Sequence, residues 1–394
     1  MIKSKKLAFI SSLCLSVGLM GSLLTACNNK EKPQYEEIRT LVFKGGDFDS
    51  KYYRIPAIVT AKDGSLVAVA DKRIEHNGDL PAKIDIVSRR STDNGKTWSE
   101  YVTVAENDSI GGCGDAALVV DEKTGDILAI FSHGNGLWQD SPAHITVVRS
   151  QDNGLTWGEM LDINPQIYTE DPEDTDKISV TAGFASSGHA LQLNDGRIMF
   201  ALVTRKAGED QFKVYAVYSD DGGETWQVSK TPGSLDGDES KIVELADGTL
   251  IMSVRNRYRD KKYDNRRLFA YSYDRGETWT EEMTPVMDII DPACNGDIIR
   301  YTYDGNDILL QSVPGSPNKR ENVTIYASTD GGKTFPYKKQ IVDVPSGYSS
   351  MTVLPDGQVG ILIEEEAVGE ENAQGGHGYD LWFTAVPLDS ILVK

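Results

Sequence analysis

The chain has 394 residues and a formal net charge of −20, which is long enough for one large domain or two small ones and too acidic, without a basic stripe, to hold nucleic acid. Its four cysteines are too few for a disulfide scaffold or a Cys-based zinc site, and its five histidines show no metal-ligand spacing, so neither zinc chemistry nor a cofactor is expected. In so acidic a chain a cluster of arginines is informative, because an anionic ligand must be drawn in against the general field.

The first element is a leader. Lys3, Lys5 and Lys6 precede an apolar run from Leu7 to Leu24, which meets Leu24-Thr25-Ala26-Cys27. A basic start, a short apolar stretch and small residues at a cleavage site describe a secretory signal rather than a spanning helix. The four-residue end is similar to a bacterial lipobox. That likeness implies that residues 1–27 are a lipoprotein signal ending at Cys27, that Cys27 becomes the lipidated first residue, and that the protein is held at a bacterial cell envelope. An ordinary signal peptide cut nearby is the alternative. Residues 28–35 are polar and suit a tether. No later run approaches the ~18 apolar residues of a membrane span, so contact with membrane is expected only through the anchor. Beyond the leader only Cys113 and Cys294 remain, bridged or free.

From residue 36 to 394 the pattern is all-β. Apolar alternation and Gly, Asp and Asn turns dominate, with almost no helix signal. Two repeats run out of phase. Tight turns opening onto apolar strands occur at Asp63-Gly64, Gly125-Asp126, Asp195-Gly196, Asp247-Gly248, Asp304-Gly305 and Asp356-Gly357. The second repeat, Ser-x-Asp-x-Gly-x-Thr-Trp, starts at Ser91, Ser150, Ser219 and Ser272, with a fifth copy at Ser328 that ends in Phe335. Asp and Gly at this spacing suit a hairpin turn, with the aromatic packing behind it. A unit of ~50 to 70 residues holding two hairpins is a four-stranded antiparallel blade. Six turns therefore predict a six-bladed β-propeller as a single domain. The last blade lacks a box and needs a strand from the other chain end, for which Glu37 to Phe43 is the natural candidate.

The boxes resemble the Asp boxes of sialidases, though such boxes occur in unrelated propellers too and carry fold rather than function. The closer resemblance lies between them. Tyr53-Arg54-Ile55-Pro56 resembles the Phe/Tyr-Arg-Ile-Pro motif of the sialidase family, which implies that Arg54 grips a substrate carboxylate through a bidentate fork that Lys cannot reproduce. Arg255 in Ser253-Val254-Arg255-Asn256 and Arg320 in Pro317-Asn318-Lys319-Arg320 stand where the family places its second and third arginines. Arg257 and Arg259 follow Arg255 closely, but its place after a core strand favours Arg255. The stretch Arg73 to Asp79 resembles the catalytic loop, implying Asp79 as acid/base and Arg73 as a substrate contact. Glu75 and Asp85 are the rival carboxylates, and Asp85 reads as structural.

Tyr348 in Ser346-Gly347-Tyr348-Ser349 resembles the family's nucleophile motif. Glu239 in Asp238-Glu239-Ser240 resembles its proton-accepting partner, with Glu244 as the rival. Glu364 matches the carboxylate that steadies the first arginine, although Glu365 and Glu366 leave its register open. Asp115, followed here by Ala116 where the family often has Pro, matches a sugar contact. Trp138 could stack on the aglycone. The resemblance covers Thr40 to Leu388. It implies a retaining exo-α-sialidase acting on terminal sialic acids of glycoproteins, glycolipids or sialyl-oligosaccharides. Tyrosine nucleophiles are an established departure from the two-carboxylate scheme. A neutral phenol approaches an anomeric carbon bearing a carboxylate without charge repulsion, and a nearby carboxylate takes its proton. An intramolecular trans-sialidase and a non-catalytic sialoglycan-binding propeller are the alternatives. No metal is needed for the reaction.

Overall fold

The computed structural model describes residues 35–136, 143–171, 173–180, 182–206, 209, 211–257, 263, 265–367 and 378–393. The leader with Cys27, most of the tether, Trp138 and Arg259 lie outside the described residues. From Glu37 onward the chain forms six antiparallel sheets arranged in a ring, a six-bladed β-propeller. All six tight turns join the innermost strand of a blade to the second, and all five boxes join the third strand to the outer one. Among the described residues helix is confined to single turns such as Asn164–Ile167 and Leu388–Ile391.

The local chemistry explains the turns. Gly64, Gly248 and Gly357 each take a left-handed φ near +85° (84°, 84° and 85°), a region closed to most side chains. The preceding Asp accepts the backbone N–H two residues on, as Asp63 does from Ser65 at 2.9 Å and Asp356 from Gln358 at 3.0 Å. In each box the serine hydroxyl accepts the glycine N–H and donates to the aspartate, while the aspartate accepts from the threonine N–H and Oγ1. For the first box these distances are 2.8, 2.8, 2.9 and 2.6 Å. The box thus satisfies its own turn and leaves its aromatic free to pack.

Second strands such as Ile127–Gly134 are buried along their whole length, because both faces of the blade are covered by neighbours. Six apolar cores result, each wedged between two adjacent blades. The last blade is completed as the repeats require: Ile38–Phe43 pairs antiparallel with Tyr379–Val386. One blade departs from the simple pattern. The inner strand of the third is broken into Ala182–Ala185 and Leu191–Gln192, and between them Gly188–His189 pairs parallel with the inner strand of the second blade.

Phe383 of the last blade is fully buried between the last and first blades, packed edge-on against Trp98 with ring centroids 5.5 Å apart. Gly95 of the first box has no room for a side chain beside it. Phe383→Ala is expected to destabilise the domain by about 3–5 kcal/mol, the usual cost of emptying an aromatic core site. A fall in the thermal unfolding midpoint checks it, and an unchanged midpoint would show that this seam is not a tightly packed one.

Candidate active site

Four of the inner strands carry one extra residue near the same end. The register against the second strand slips between Arg54 and Ala57, Gly114 and Ala117, Gly237 and Ser240, and Ser346 and Ser349. A bulge of this kind bends the strand and re-aims a side chain. The slips hold, or adjoin, Arg54, Asp115, Glu239 and Tyr348. Ile55 and Asp115 sit in the left-handed region, at φ 60° and 62°. An Asp tolerates that region, whereas a β-branched residue there costs about 1–3 kcal/mol and needs a surrounding structure that enforces it.

Glu364 does the enforcing. Its carboxylate accepts from Arg54 Nε at 2.6 Å and Nη2 at 3.2 Å, from the Ile55 N–H at 2.8 Å and from the Tyr348 N–H at 3.0 Å. One buried carboxylate therefore fixes an arginine, a strained backbone and the base of a tyrosine. Burial pushes its pKa up, but Arg54 and the backbone N–H groups outweigh this and hold it below the ordinary range. Its register is settled as well, since Glu365 turns the other way and binds Arg39 through both oxygens.

The Tyr348 hydroxyl donates to Glu239 Oε2 at 2.6 Å and accepts from Arg255 Nη1 at 3.1 Å. Arg255 also binds Glu239 Oε2 and donates to the Ala293 carbonyl at 2.9 Å. The guanidinium carbons of Arg54 and Arg320 each lie 5.3 Å from the centre of the Tyr348 ring. The three arginines thus surround one phenol. Arg54 is balanced by Glu364 and Arg255 by Glu239, while Arg320 has no carboxylate partner among the described residues. Burial, reinforced by Glu239, pushes the Tyr348 hydroxyl well above its ordinary value despite Arg255 and Arg320. It is a neutral phenol with a carboxylate placed to accept its proton.

Opposite lies a second cluster. Arg73 is almost wholly buried and donates to Asp79 at 2.8 Å, to Asp71 at 3.2 Å and to the Asn77 carbonyl at 2.7 Å. The Asp79 side chain is 78% exposed yet stands in a concave mouth. Crowding there raises its pKa, and Arg73, Arg54 and Arg320 more than offset this and lower it. Asp115 is shifted the other way: burial first, then the charges of Asp71, Asp79 and Glu239, push it well up. Asp71 is pushed up as well, to about 6, by burial against the pull of Arg73.

Arg54, Asp79, Asp115, Glu239, Arg255, Arg320 and Tyr348 line one cleft of ≈ 290 Å³, with Glu364, Arg73 and Asp71 behind them rather than in its lining. A larger hollow of ≈ 600 Å³, beside Asp247 and Tyr303, holds no comparable convergence. The rival carboxylates fall away: Glu75 pairs with Lys83 at the surface, Asp85 caps Asn107, and Glu244 accepts the Asn194 N–H. Cys113 and Cys294 are separate, buried free thiols. Cys294 packs under Tyr348, and burial pushes its thiol up to about 11.

Several lining or supporting residues lie outside the sequence motifs. Asp71 orients both Arg73 and the Asp115 N–H, the latter at 3.1 Å. Its signal was a carboxylate closing the apolar run Val67 to Ala70. Phe184 and Phe212 wall the cleft, with Arg257 stacked 3.5 Å over the Phe212 ring. These three carry no pattern that separates them from core aromatics and surface charge.

Fold and site together define a β-propeller enzyme with three arginines around one phenol in its cleft. The model of the BNR repeat-like domain family matches residues 55–352. A sialidase from Paraclostridium sordellii is 32% identical over 395 residues, covering 92% of each chain. A sialidase from Micromonospora viridifaciens is 34% identical over 335 residues, or 79% of this chain, which spans about half (50%) of that relative's length. Among solved structures, the Hadza microbial sialidase Hz136 superposes with a TM-score of 0.77 at 30% identity, over 90% of this chain and 69% of that one. The chain belongs to the sialidase family of glycoside hydrolases.

Replacing Glu364 with Gln leaves Arg54 buried without its counter-charge, and loss of one partner of a buried pair costs about 3–5 kcal/mol. Because the pKa of Glu364 is depressed in the folded state, its contribution is complete above the unfolded value near ~4.3. It is lost as pH falls through the folded one. Glu364→Gln is accordingly expected to unfold at lower temperature than wild type at pH 7, with the gap closing in acid. A gap independent of pH would show that shape rather than charge matters there.

Proposed function

We propose that the protein is a retaining exo-α-sialidase that releases terminal α-linked sialic acids from glycoconjugates. The observation that carries this reading is the 2.6 Å bond from Tyr348 to Glu239 beneath three arginines. Arg54, Arg255 and Arg320 seat the sugar carboxylate. Tyr348 Oη attacks the anomeric carbon as its proton passes to Glu239, while the bond to the leaving oxygen breaks and Asp79 protonates that oxygen. Water then gives a proton to Asp79 and adds to the same carbon, and Glu239 returns its proton to the departing phenolate. Two inversions leave the α configuration intact.

In the free protein the arginines hold Asp79 ionised. A substrate carboxylate among them cancels part of that field and raises the pKa of Asp79, which loads the general acid when it is needed. Arg73 holds Asp79 in place, and Arg73 and Asp115 are the proposed contacts to the sugar's hydroxyl or acetamido side. Sialylated glycans are the proposed partners.

Sialyl-lactose is the test substrate. Wild type is expected to release free sialic acid, Tyr348→Phe to lose nearly all turnover, and Asp79→Ala to lose about 10²-fold or more. An anhydro sugar as product would move the activity to intramolecular trans-sialidase, and Arg54-dependent binding with no product would make the protein a lectin. The same proposal places the enzyme at the bacterial envelope through lipid on Cys27. Cys27→Ala is expected to shift it from the membrane to the soluble fraction, and retention of the variant in the membrane fraction would remove the anchor.

A further inference from the structure

Beneath Glu239 lies a cation that the reaction as described does not use. Lys241, two residues further along the same inner strand, is 1% exposed. Its Nζ donates to Asn295 Oδ1 at 2.7 Å, Asn295 Nδ2 donates to Ser187 Oγ at 3.0 Å, and Ser187 Oγ donates to Glu239 Oε1 at 3.2 Å. Every member of this chain is buried. The break in the third blade makes it possible. Ser187 sits in the gap, and Gly188 beside it, at φ +99°, has no side chain to crowd the Lys241 stem, which a Cβ would approach to 3.2 Å.

The direction of the chain is dictated by donor inventory. An ammonium has donors and no acceptor, so the Asn295 oxygen must face it and the Asn295 NH₂ must face Ser187. The Ser187 oxygen is then an acceptor from Asn295, and its proton goes to Glu239. Glu239 Oε1 is therefore obliged to accept, leaving Oε2 for Tyr348 and Arg255. We propose that Lys241 is a positioning residue for the Tyr348–Glu239 pair: acting through Asn295 and Ser187, its ammonium orients a one-way hydrogen-bond chain that presents Glu239 as an unprotonated acceptor. Once Glu239 holds the Tyr348 proton, the same chain keeps Oε1 turned to Ser187 and Oε2 turned to the phenolate that takes the proton back.

A neutral Lys241 has a lone pair and can accept, so the Asn295 amide and the Ser187 hydroxyl are no longer committed to one direction. The charged groups facing Lys241 are Glu239 on its own strand, Asp297 on the inner strand of the fifth blade, and Arg255 and Arg267 on the second and third strands of its own blade. Burial lowers its pKa against the pull of Glu239 and Asp297, to about 8. The ordering influence is thus present below that value and lost as pH rises through it.

The inference rests on Tyr348 and Glu239 being the reacting pair, and Tyr348→Phe in the same assay tests that separately. With an aryl α-sialoside, Lys241→Met and Ser187→Ala are each expected to lower kcat about tenfold or more, with KM changed less than about threefold. The double variant should fall no further than the worse single, because both cut one chain. The alkaline fall in kcat near pH 8 should be present in wild type and absent in Lys241→Met. Ser187→Ala carries the test if Lys241→Met does not fold. Full kcat in Ser187→Ala, multiplied losses in the double variant, or an effect on KM alone would overturn the proposal while leaving the role of Tyr348 intact.

Discussion

A propeller covers the faces of its blades only when the ring closes, and closure here joins the two ends of the sequence. The strand Ile38–Phe43 completes the last blade, and the last blade then meets the first across a shared apolar seam. Polar contacts cross the same seam near the axis: the Ile58 N–H to Ser350, Thr60 to Thr352 and the Val353 carbonyl, and Arg54 to Glu364. The last of these is also the anchor of the site. Arg54 comes from the first blade, and Glu364 and Tyr348 come from the last, so the arginine and the phenol face each other only in a closed ring. Folding of the seam and assembly of the site are one event.

Within that frame, the site is made by local departures from regular strand geometry. An unbroken inner strand alternates its side chains between two faces that neighbouring blades cover, and none of them points along the axis. One extra residue in each of four inner strands turns a side chain out of that alternation and into the shared cleft. The strain at Ile55 is held by the hydrogen bond to Glu364 and by packing against Cys294 and Tyr348. The broken strand of the third blade works by the same logic, exchanging ladder bonds for a gap in which Ser187 reaches Glu239. The boxes do the opposite. They make the outer turns self-sufficient and leave the inner ends free to vary.

Architecture was readable from the sequence because it repeats. Two turn patterns out of phase define two hairpins per unit, and six copies leave little choice of fold. The site was readable where a motif ties an unusual residue to a strand end, as with Tyr53-Arg54-Ile55-Pro56. What was not readable follows from long-range geometry. Nothing in Ser186-Ser187-Gly188 distinguishes a strand break at the axis from any surface turn, and Asn295 lies in an ordinary loop. Asp71 and Lys241 did leave a trace, each being a charge in an apolar strand, but a charge there reads equally as the edge of a sheet. The three adjacent glutamates Glu364, Glu365 and Glu366 show the same limit: alternation puts the first and third on one face and Glu365 on the other, and only the contacts to Arg54 and Arg39 say which face meets the site.

Charge balance ties these features together. Three guanidiniums around one phenol repel each other, and each needs an opposite charge or water. Glu364 and Glu239 satisfy two of them, and Arg320 has no carboxylate partner among the described residues. The remaining carboxylates, Asp71, Asp79 and Asp115, gather around Arg73 on the other side of the cleft, where burial first and their mutual charge second push Asp115 up. A further ionised carboxylate at the position of Tyr348 would add negative charge next to Glu239. A phenol held neutral by burial avoids that conflict. The distribution of acids and arginines thus favours tyrosine at this point of the fold on electrostatic grounds, before any particular sugar is considered.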